Sequence, residues 1–530
     1  MSFSSASSVF KTPSKLYQDR ARHLQFDRSP RKLSIMDRVL QLETLEPSKR
    51  PHIGIVGAGF AGLRCADILL RYGFRVTILE ARNRLGGRIY QESLPSGQLI
   101  DMGANWIHGT EDNPIIDLAR ETETTTTDDW DEEAFVFDEV GKLLDPKEAQ
   151  EYSNIMWEII KEASAHSRAN QHGAGIDPKE TLWDFFLGEV PKRIPNTEKD
   201  SEKKQKCILQ MADLWGAFVG SPVQTQSLKF FWLEECIEGE NLFVTGTYRK
   251  ILETVAQPAV NGATIHLQTR VTEVYGKSAP PSNAVKLRTS DGRIFEVDEV
   301  VLTTPLGWLK QNLQAFHPPL PARLTQAIQN IGYGSLEKTY ITFPKAFWLI
   351  PDSKGRKFTG FGQWLSPSYT PDTNPVKWTN EVVELASVSD GHPTLLFYTY
   401  GEESTHITSS LRKLKSEKEK KQWLIRFFEP YYSKLPSYNP KEDVPVAALA
   451  TDWLGDDLAG NGSYANFQKG LREGDKDVEV MRAGVPGEGV WLAGEHTAPF
   501  IALGTSTGAY WSGEGVAMRV AGKVLGRQEV

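Results

Sequence analysis

The stretch IGIVGAGFAG, residues 53–62, decides the fold of this chain. The apolar run 53–56 reads as a buried strand, and a helical pattern begins at Ala61. Between them, Gly57, Gly59 and Gly62 have the G-x-G-x-x-G spacing, which gives a tight turn, close approach of the backbone to a pyrophosphate, and a helix packed on the strand. The stretch therefore predicts a doubly wound, Rossmann-like α/β domain that binds a dinucleotide.

The residues that follow narrow the choice of dinucleotide. A second strand over 74–79 ends at Glu80, about 20 residues past the first glycine, where an acid binds an unphosphorylated ribose. This favours FAD or NAD over NADP. Arg82 and the Gly-Gly-Arg turn 86–88 come next, and a second open turn with a guanidinium suits a pyrophosphate approached from two sides. The pattern favours FAD, whereas a glycine turn used only for packing is the alternative.

Length and composition limit the class of protein. The chain has 530 residues, of which 24% are charged and 40% hydrophobic, as expected for a globular protein of more than one domain. Its formal net charge of -8 argues against general nucleic-acid binding and is compatible with attraction of a cationic substrate.

Cysteine and histidine usage gives no sign of a metal site or of an oxidising compartment. The three cysteines are Cys65, Cys207 and Cys236, and none forms a pair at metal or redox spacing. The ten histidines are scattered, so we predict no metal. There is no apolar run of about 18 residues, and we predict no membrane span.

The N-terminal segment 1–50 differs in character from the rest. It is rich in serine and carries seven Lys or Arg against two acids before Ile35, without an apolar core. An ordinary secretory signal is therefore not predicted. We expect a disordered tail and a cytoplasmic protein, with a mitochondrial transit peptide as the alternative.

The remaining patterns predict two interleaved domains. The dinucleotide domain is assigned to 51–115, 241–315 and 450–530, and a second domain to 116–240 and 316–449. Strands are predicted at 264–267, 271–275, 300–302, 338–343 and 490–493, with a hairpin of 285–288 and 294–297 around Asp291-Gly292. Helices are predicted over 411–432 and from about Thr507. The acidic run 128–133 and the polar run 196–206 are expected to be surface loops.

Six ordered motifs resemble those of a known family. They are the Gly57 fingerprint, Glu80-Ala81-Arg82, Gly86-Gly87-Arg88, the segment DMGANWIHG at 101–109, the Lys338 strand and Gly494-Glu495-His496-Thr497. Together, over about 51–520, they look like the flavin-dependent amine oxidases and are most similar to the polyamine oxidases, including the spermine and acetylpolyamine branch. The resemblance implies an FAD domain interleaved with an α+β substrate domain that has a six-stranded sheet flanked by helices.

The resemblance also implies a reaction. Hydride passes from the carbon beside a neutral amine to flavin N5, the imine is hydrolysed to an aldehyde, and O2 reoxidises the flavin to give hydrogen peroxide. The implied partners are a small-molecule amine and O2. The exact amine, the side of the nitrogen that is cleaved and the oligomeric state stay open. Oxidation of a monoamine or of a secondary-metabolite amine is the alternative, and a flavin-bearing binding protein without turnover is a third hypothesis.

The family's site residues carry over to matching positions. Lys338 would hold a water against flavin N5, and the alternative is an exposed strand lysine. His108 would contact the amine, and the alternative is a structural histidine. Substrate contacts are implied for Trp106, Tyr464 and Thr505. Cofactor contacts are implied for Gly57, Ala58, Gly59, Ala61, Gly62, Glu80, Ala81, Arg82, Gly87, Arg88, Gly103, Ala104, Asn105, Trp106, Val271, Trp453, Glu495 and Thr505.

Two positions depart from the monoamine oxidases. Ser463 stands where they carry the cysteine that is bonded to flavin, so FAD is expected to be noncovalent. Thr505 stands where the second ring of their aromatic cage would be. Polyamine recognition also needs carboxylates away from the flavin, and the sequence alone does not choose among Glu111, Asp112, Glu234, Glu235, Glu238 and Glu240.

Overall fold

The computed structural model describes residues 46–128, 135–171, 175–279, 284–370, 374, 382–387 and 392–526. Of the acidic run 128–133, which is predicted to be a surface loop, only Asp128 belongs to the described residues. The N-terminal tail also lies outside them up to residue 45. The expectations for the tail and for the cellular location therefore stay predictions.

The strands of the described residues are numbered in chain order. They are β1 (His52–Val56), β2 (Arg75–Leu79), β3 (Gln91–Ser93), β4 (Leu99–Asp101), β5 (Trp106–Ile107), β6 (Phe135–Phe137), β7 (Leu242–Phe243), β8 (Thr264–His266), β9 (Val271–Tyr275), β10 (Val285–Thr289), β11 (Ile294–Val297), β12 (Glu299–Leu302), β13 (Phe316–His317), β14 (Gly332–Tyr333), β15 (Glu337–Thr342), β16 (Phe361–Leu365), β17 (Val382–Ser387), β18 (Thr394–Thr399), β19 (Ala447–Ala450), β20 (Ala465–Asn466) and β21 (Val490–Leu492).

The α-helices of the same residues are numbered likewise. They are α1 (Phe60–Arg71), α2 (Pro114–Glu121), α3 (Pro146–Ala169), α4 (Leu182–Arg193), α5 (Ser201–Ala212), α6 (Trp215–Val219), α7 (Arg249–Gly262), α8 (Leu306–Gln311), α9 (Ala322–Asn330), α10 (Gly401–Lys413), α11 (Glu417–Tyr432), α12 (Gly474–Ala483) and α13 (Ser506–Val524). No described helix is long and apolar enough to cross a bilayer.

A five-stranded parallel sheet forms the first layer, in the order β21-β12-β1-β2-β8. All residues of β12 and β21 are buried, as expected for parallel strands with both faces covered. Helices α1 and α13 pack together against this sheet: Ala61, Val516 and Val520 lie in one core with Ile55 and Ile78. The predicted doubly wound α/β fold is confirmed.

A second sheet accompanies the first, with strand order β11-β10-β9-β13. Strands β10 and β11 form the predicted hairpin, with Val285 opposite Val297. Strand β9, which begins at Val271, pairs with β10 and with β13. This sheet joins the core that lies on the other face of β1 and β12.

The third sheet has six strands, in the order β19-β15-β18-β17-β16-β6. Its neighbours are antiparallel except for β16 and β6. Because side chains alternate along a strand, Ile341 of β15 faces the core with α10 and α11, while Tyr340 faces Met102 and Trp106 of the first domain. Lys338 has the same parity as Tyr340 and lies on that side. The implied six-stranded sheet is confirmed.

Two elements differ from the expected pattern. The helix predicted over 411–432 is two helices, because Ser416 is extended and starts α11 through a capping box with Glu419. In the polar run 196–206, residues from Ser201 onwards are not a loop but the first turns of α5. The prediction differed because a run of charged residues is typical both of a solvated loop and of the exposed face of a helix.

The boundary predicted at residue 316 also differs from the packing. Strand β13 belongs to the four-stranded sheet, and Leu324, Ile328 and Ile331 lie in the same core as Val274. The segment 316–331 therefore packs with the first domain. The other boundaries stay predictions.

Candidate active site

The glycine turn between β1 and α1 has the geometry that its spacing requires. Gly57 has φ +106°, which only glycine adopts without strain. A Cβ on Gly62 would lie 2.1 Å from the Gly57 carbonyl oxygen, so any larger residue would push α1 off the strand. A Cβ on Gly59 would have only the Gly86 carbonyl oxygen, at 3.9 Å, within 4 Å. The backbone is therefore open at Gly59.

The two predicted glycine turns face each other. Gly59 and Gly86 form an isolated bridge, and the amide N–H of Gly86 donates to the Ala58 carbonyl at 2.8 Å. Gly59 caps α1 without a side-chain acceptor, so the first N–H groups of the helix point into this opening. Such an arrangement fits an anionic diphosphate.

Glu80 closes the same turn from the end of β2. Its carboxylate accepts from the Ala58 amide at 2.7 Å and from the Arg82 amide at 2.8 Å. Each oxygen keeps a further lone pair, and the residue lines the cavity described below. Glu80 can therefore hold the loop and accept from a ribose hydroxyl together.

Arg88 and Glu495 are paired across the site. Arg88 Nη1 donates to Glu495 Oε1 at 3.0 Å and to the Ser463 carbonyl at 2.7 Å. Glu495 Oε2 accepts from the Ala465 amide at 3.3 Å. The predicted Arg82 likewise pairs with Asp456, at 2.6 Å. These guanidinium groups are fixed by carboxylates and line the cofactor region with rigid donors.

A cavity of about 410 Å³ connects these groups with the six-stranded sheet. Its volume lies in the range of ligand sites, about 300–1,000 Å³. All of the predicted cofactor, catalytic and substrate residues line it except Ala58 and Gly62. Those two support the lining residues: the Ala58 amide donates to the Glu80 carboxylate, and Gly62 packs on Gly57.

The N-terminus of α13 forms another part of the wall. Thr505 caps the helix, because its Oγ1 accepts from the Gly508 amide at 2.9 Å and donates to the Ala502 carbonyl at 2.7 Å. The hydroxyl predicted to contact substrate is thus used mainly for capping. The helix start carries partial positive charge toward the cavity.

Lys338 is buried, with 5% of its surface exposed. Its Nζ donates to the Asp101 carbonyl at 3.3 Å and to the Gly103 carbonyl. Burial lowers the pKa of Lys338 to about 7, because a charged ammonium is poorly solvated there. The alternative of an exposed strand lysine is wrong.

Asp101 is the carboxyl group whose charge acts on Lys338. Its carboxylate accepts from the Tyr248 amide at 3.0 Å and from Gln91 Nε2 at 2.7 Å. Burial raises the pKa of Asp101, while the Gln91 hydrogen bond and the charge of Lys338 act in the opposite direction. The two groups belong to different sheets, and of the two Lys338 lines the cavity.

His108 is partly buried and lines the cavity. Its Nδ1 is 3.3 Å from Asn241 Oδ1, which also accepts from the Gly109 amide at 3.2 Å. Since that oxygen is an acceptor, Nδ1 carries the proton and Nε2 keeps a lone pair. Burial lowers the pKa of His108, so the ring is neutral at neutral pH.

Several aromatic rings line the cavity together with Lys338 and His108. Tyr398 Oη accepts from Trp106 Nε1 at 3.0 Å and from Asn105 Nδ2 at 2.8 Å. Tyr464 Oη donates to the Phe218 carbonyl at 2.6 Å. Trp453 Nε1 donates to the Met102 carbonyl at 3.2 Å. Each of these hydrogen bonds fixes one ring edge and leaves its face for packing.

The structure distinguishes among the candidate carboxylates. Glu234 and Glu240 line the cavity. Glu235 instead bonds Ser164 Oγ at 2.5 Å and pairs with Arg168. Glu111, Asp112 and Glu238 are not among the lining residues. Burial and the nearby Glu111 raise the pKa of Glu238.

Glu234 is held in place by a residue far away in the chain. Its Oε1 accepts from the Phe467 amide at 3.2 Å. Burial raises the pKa of Glu234 to about 8. No sequence spacing links the two positions, although the apolar run 230–233 before Glu234 indicates a buried segment. The sequence did not single out several other lining residues, among them Trp157, Trp215, Phe218, Asn241, Phe361 and Tyr398.

The residues present fit FAD. We call the two facing glycine turns, at Gly57 to Gly59 and at Gly86, the glycine cradle; the cradle and Glu80 would hold the pyrophosphate and ribose. Val271 is a buried lining residue of the same region. The α13 N-terminus and Lys338 would border the flavin ring. Among the described residues, no three His, Cys, Asp or Glu side chains are grouped as metal ligands.

Comparisons with known proteins identify the family of the chain. The family model for flavin-containing amine oxidoreductases matches residues 60–521. The chain is 28% identical over 477 residues to the probable polyamine oxidase 4 of Arabidopsis thaliana, covering 86% of this chain and 84% of that one. It is 26% identical over 493 residues to the lysine-specific histone demethylase 1 homolog 3 of Oryza sativa subsp. japonica, covering 90% of this chain and 54% of that one.

A solved structure shares the fold. A putrescine oxidase variant redesigned in its cofactor binding superposes with a TM-score of 0.60 at 19% identity, over 89% of this chain and 99% of the other. The family model covers most of the chain, from the first residue of α1 to Ala521 in the last turn of α13. The chain therefore belongs to the family of flavin-containing amine oxidoreductases and is an FAD-dependent amine oxidase.

Proposed function

We propose that this amine oxidase acts on a polyamine. Oxidation at a C–N bond would consume one water and one O2 and yield an aldehyde, a shorter amine and hydrogen peroxide. The observation that carries the proposal is Glu234, a carboxyl group deep in the protein that borders the cavity. An ammonium group that enters would favour ionisation of Glu234 and pair with the resulting carboxylate, and a polyamine offers such a group away from the reacting nitrogen.

Glu234 and the predicted substrate ring, Tyr464, line the same cavity. Burial, and next the charge of Glu234, raise the pKa of the Tyr464 hydroxyl. The charge of this carboxyl group thus acts on the ring that would cover the reacting amine. The relatives named polyamine oxidase and putrescine oxidase support the same substrate class.

The chain's own residues would prepare the amine and the water. His108 Nε2 can accept a hydrogen bond from the reacting nitrogen, which must be neutral for its lone pair to assist hydride loss. Lys338, with a lowered pKa, can orient a water by donating to it and can exchange a proton near neutral pH. When bound, the flavin supplies the two-electron acceptor.

A peroxide assay tests the proposed function. Purified holoenzyme is assayed with spermine, spermidine, N-acetylspermine, benzylamine and amino acids, and anaerobic bleaching of the flavin confirms reduction by substrate. We expect turnover of the polyamines. Turnover of monoamines alone would overturn the proposal.

Glu234→Gln tests the role of the carboxyl group. We expect it to raise KM for spermine at least tenfold more than KM for benzylamine, which has no second ammonium, as is typical for loss of a charge-assisted contact. The matched control is Glu238→Gln, which removes a carboxylate outside the cavity lining and should leave both values unchanged. Equal effects of Glu234→Gln on both amines would contradict ammonium binding by Glu234.

A further inference from the structure

Three aromatic rings from the helical region line the cavity together. Trp157 comes from α3, and Trp215 and Phe218 come from α6. The ring centroids of Trp215 and Phe218 are 5.5 Å apart and stacked, and Trp157 meets them edge-on at 6.4 and 6.1 Å. We call these three residues the aromatic wall.

The aromatic wall presents one open ring. Trp157 and Trp215 are buried, with 7% and 4% of their surface exposed, whereas Phe218 is 40% exposed. Phe218 is the one aromatic side chain among the large hydrophobic residues that are exposed within the described ranges. An open apolar ring in a cavity gains free energy when a ligand covers it.

The position of the wall is fixed by hydrogen bonds at the end of α6. The Phe218 carbonyl accepts from Tyr464 Oη at 2.6 Å, and the Val219 carbonyl accepts from Asn466 Nδ2 at 2.9 Å. The next carbonyl, of Gly220, accepts from the Ser335 amide at 2.7 Å. The terminal carbonyls of the helix are thus satisfied. The α6 part of the wall is therefore held in place and lies beside Tyr464.

The chemistry of the wall differs from that of the carboxyl end of the cavity. Residues 214–219, LWGAFV, contain no charged or hydrogen-bonding side chain other than the indole of Trp215. Glu234 lines the same cavity as Tyr464 and the aromatic wall, and its charge acts on the Tyr464 hydroxyl. A ligand that fits both neighbours of Tyr464 therefore carries an ammonium group and an apolar ring.

We propose that the aromatic wall is a subsite for an aromatic substituent on the amine substrate, such as an aryl-acyl group on one nitrogen of a polyamine. The proposal rests on the proposed function and names the substrate class within it. Aromatic rings in offset or edge contact stabilise each other beyond the area that they bury. An acetyl group has no ring and therefore cannot make such contacts.

The test compares three substrates with the holoenzyme: spermidine, N-acetylspermidine and N-benzoylspermidine. The last two differ only in that the benzoyl group carries a phenyl ring where the acetyl group carries a methyl group. For the wild-type protein we expect kcat/KM for the benzoyl compound to exceed that for the acetyl compound about tenfold, as stacking and burial of one ring predict. In Phe218→Ala the kcat/KM values of the two acyl compounds should become equal. Phe218→Leu, which keeps apolar area without a ring, should have a ratio between that of the wild-type protein and one.

Leu187→Ala is the control, since Leu187 is an exposed apolar residue of α4 outside the cavity lining, and it should leave the ratio unchanged. Equal kcat/KM for the two acyl compounds in the wild-type protein would overturn the proposal. So would equal losses for all three substrates in Phe218→Ala, or a loss for spermidine alone, which would indicate an ammonium subsite. If no amine is oxidised, the proposed function fails, and titration of the flavin absorbance with N-benzoylspermidine and N-acetylspermidine still decides the subsite.

Discussion

At the scale of single residues, the charge of the site depends on Lys338 and Asp101. Both are buried, and burial shifts their pKa values toward each other, lowering that of the lysine and raising that of the aspartate. Lys338 has no ion pair within 4.0 Å among the described residues, and its Nζ is held by two carbonyls. The negative charge of Asp101 opposes the effect of burial on the lysine.

Asp101→Asn should therefore lower the pKa of Lys338 further. Because Lys338 is protonated below its pKa of about 7, the pH limb that reports its protonation should move to lower pH, by about one unit. Stopped-flow measurement of flavin reduction and reoxidation against pH checks this. Lys338→Met should slow one of these steps and remove the limb while FAD stays bound. A limb at the same pH in Asp101→Asn would contradict the coupling.

At the scale of elements, the contact between α1 and α13 depends on one glycine. A Cβ on Gly513 would lie 2.2 Å from the Ala61 carbonyl oxygen, whereas a Cβ on Gly515 of the same helix would have no atom within 4 Å. Gly513→Ala should destabilise the protein by about 1–3 kcal/mol through overpacking. Gly515→Ala should stabilise it by about 0.5–1 kcal/mol, because alanine loses less backbone entropy in a helix.

Thermal or urea denaturation of these two variants measures the difference. The pair is matched, since both changes add one methyl group to α13. Similar stabilities for the two variants would show that α1 and α13 can move apart without cost.

The loop after β19 is held by a buried carboxyl group next to Lys338 in sequence. Glu337 accepts from the Leu454 amide at 2.8 Å and from Thr451 Oγ1, and Thr451 Oγ1 accepts from the Lys338 amide at 2.8 Å. Trp453, which lines the cavity, lies in this loop. Glu337 therefore positions the loop through the backbone.

Glu337→Leu should weaken FAD binding by about tenfold, because loss of the acceptor leaves a buried N–H unsatisfied at about 1–3 kcal/mol. Glu337→Gln keeps a carbonyl oxygen for the Leu454 amide and should retain most of the affinity. Titration of apoprotein with FAD, followed by quenching of flavin fluorescence, gives both dissociation constants. Equal affinity of the two variants would exclude a positioning role for Glu337.

At the scale of the whole molecule, the cavity connects two sheets. The glycine cradle belongs to the five-stranded sheet and Lys338 to the six-stranded sheet, and both line the same cavity. A ligand bound there contacts both and stabilises their arrangement. FAD at 100 times its dissociation constant should add about 2.7 kcal/mol to the free energy of unfolding.

FAD should be bound without a covalent bond. Ser463 has no thiol, and its Oγ accepts from the Leu336 amide at 3.1 Å. Removal of FAD should lower Tm, and acid denaturation should release yellow flavin into the supernatant. Flavin that stays with the precipitated protein would contradict noncovalent binding.

The sequence by itself determined the cofactor half of the site. The Gly57 turn, α1, β2 and Glu80 lie within about 30 residues, and their geometry depends on local backbone conformation and on the contact of one helix with one strand. The same local character made the start of α11 predictable from Ser416 and Glu419, although the prediction of one helix over 411–432 overlooked that signal.

Only the tertiary structure decided the substrate half. Glu234 faces the cavity because it bonds the Phe467 amide, and Glu235, its neighbour, is turned away toward Arg168. The aromatic wall likewise depends on Tyr464, which reaches the Phe218 carbonyl from 246 residues away in the chain. Spacing in a sequence reports contacts within a strand or helix, whereas these contacts join distant segments whose side-chain directions are set by packing.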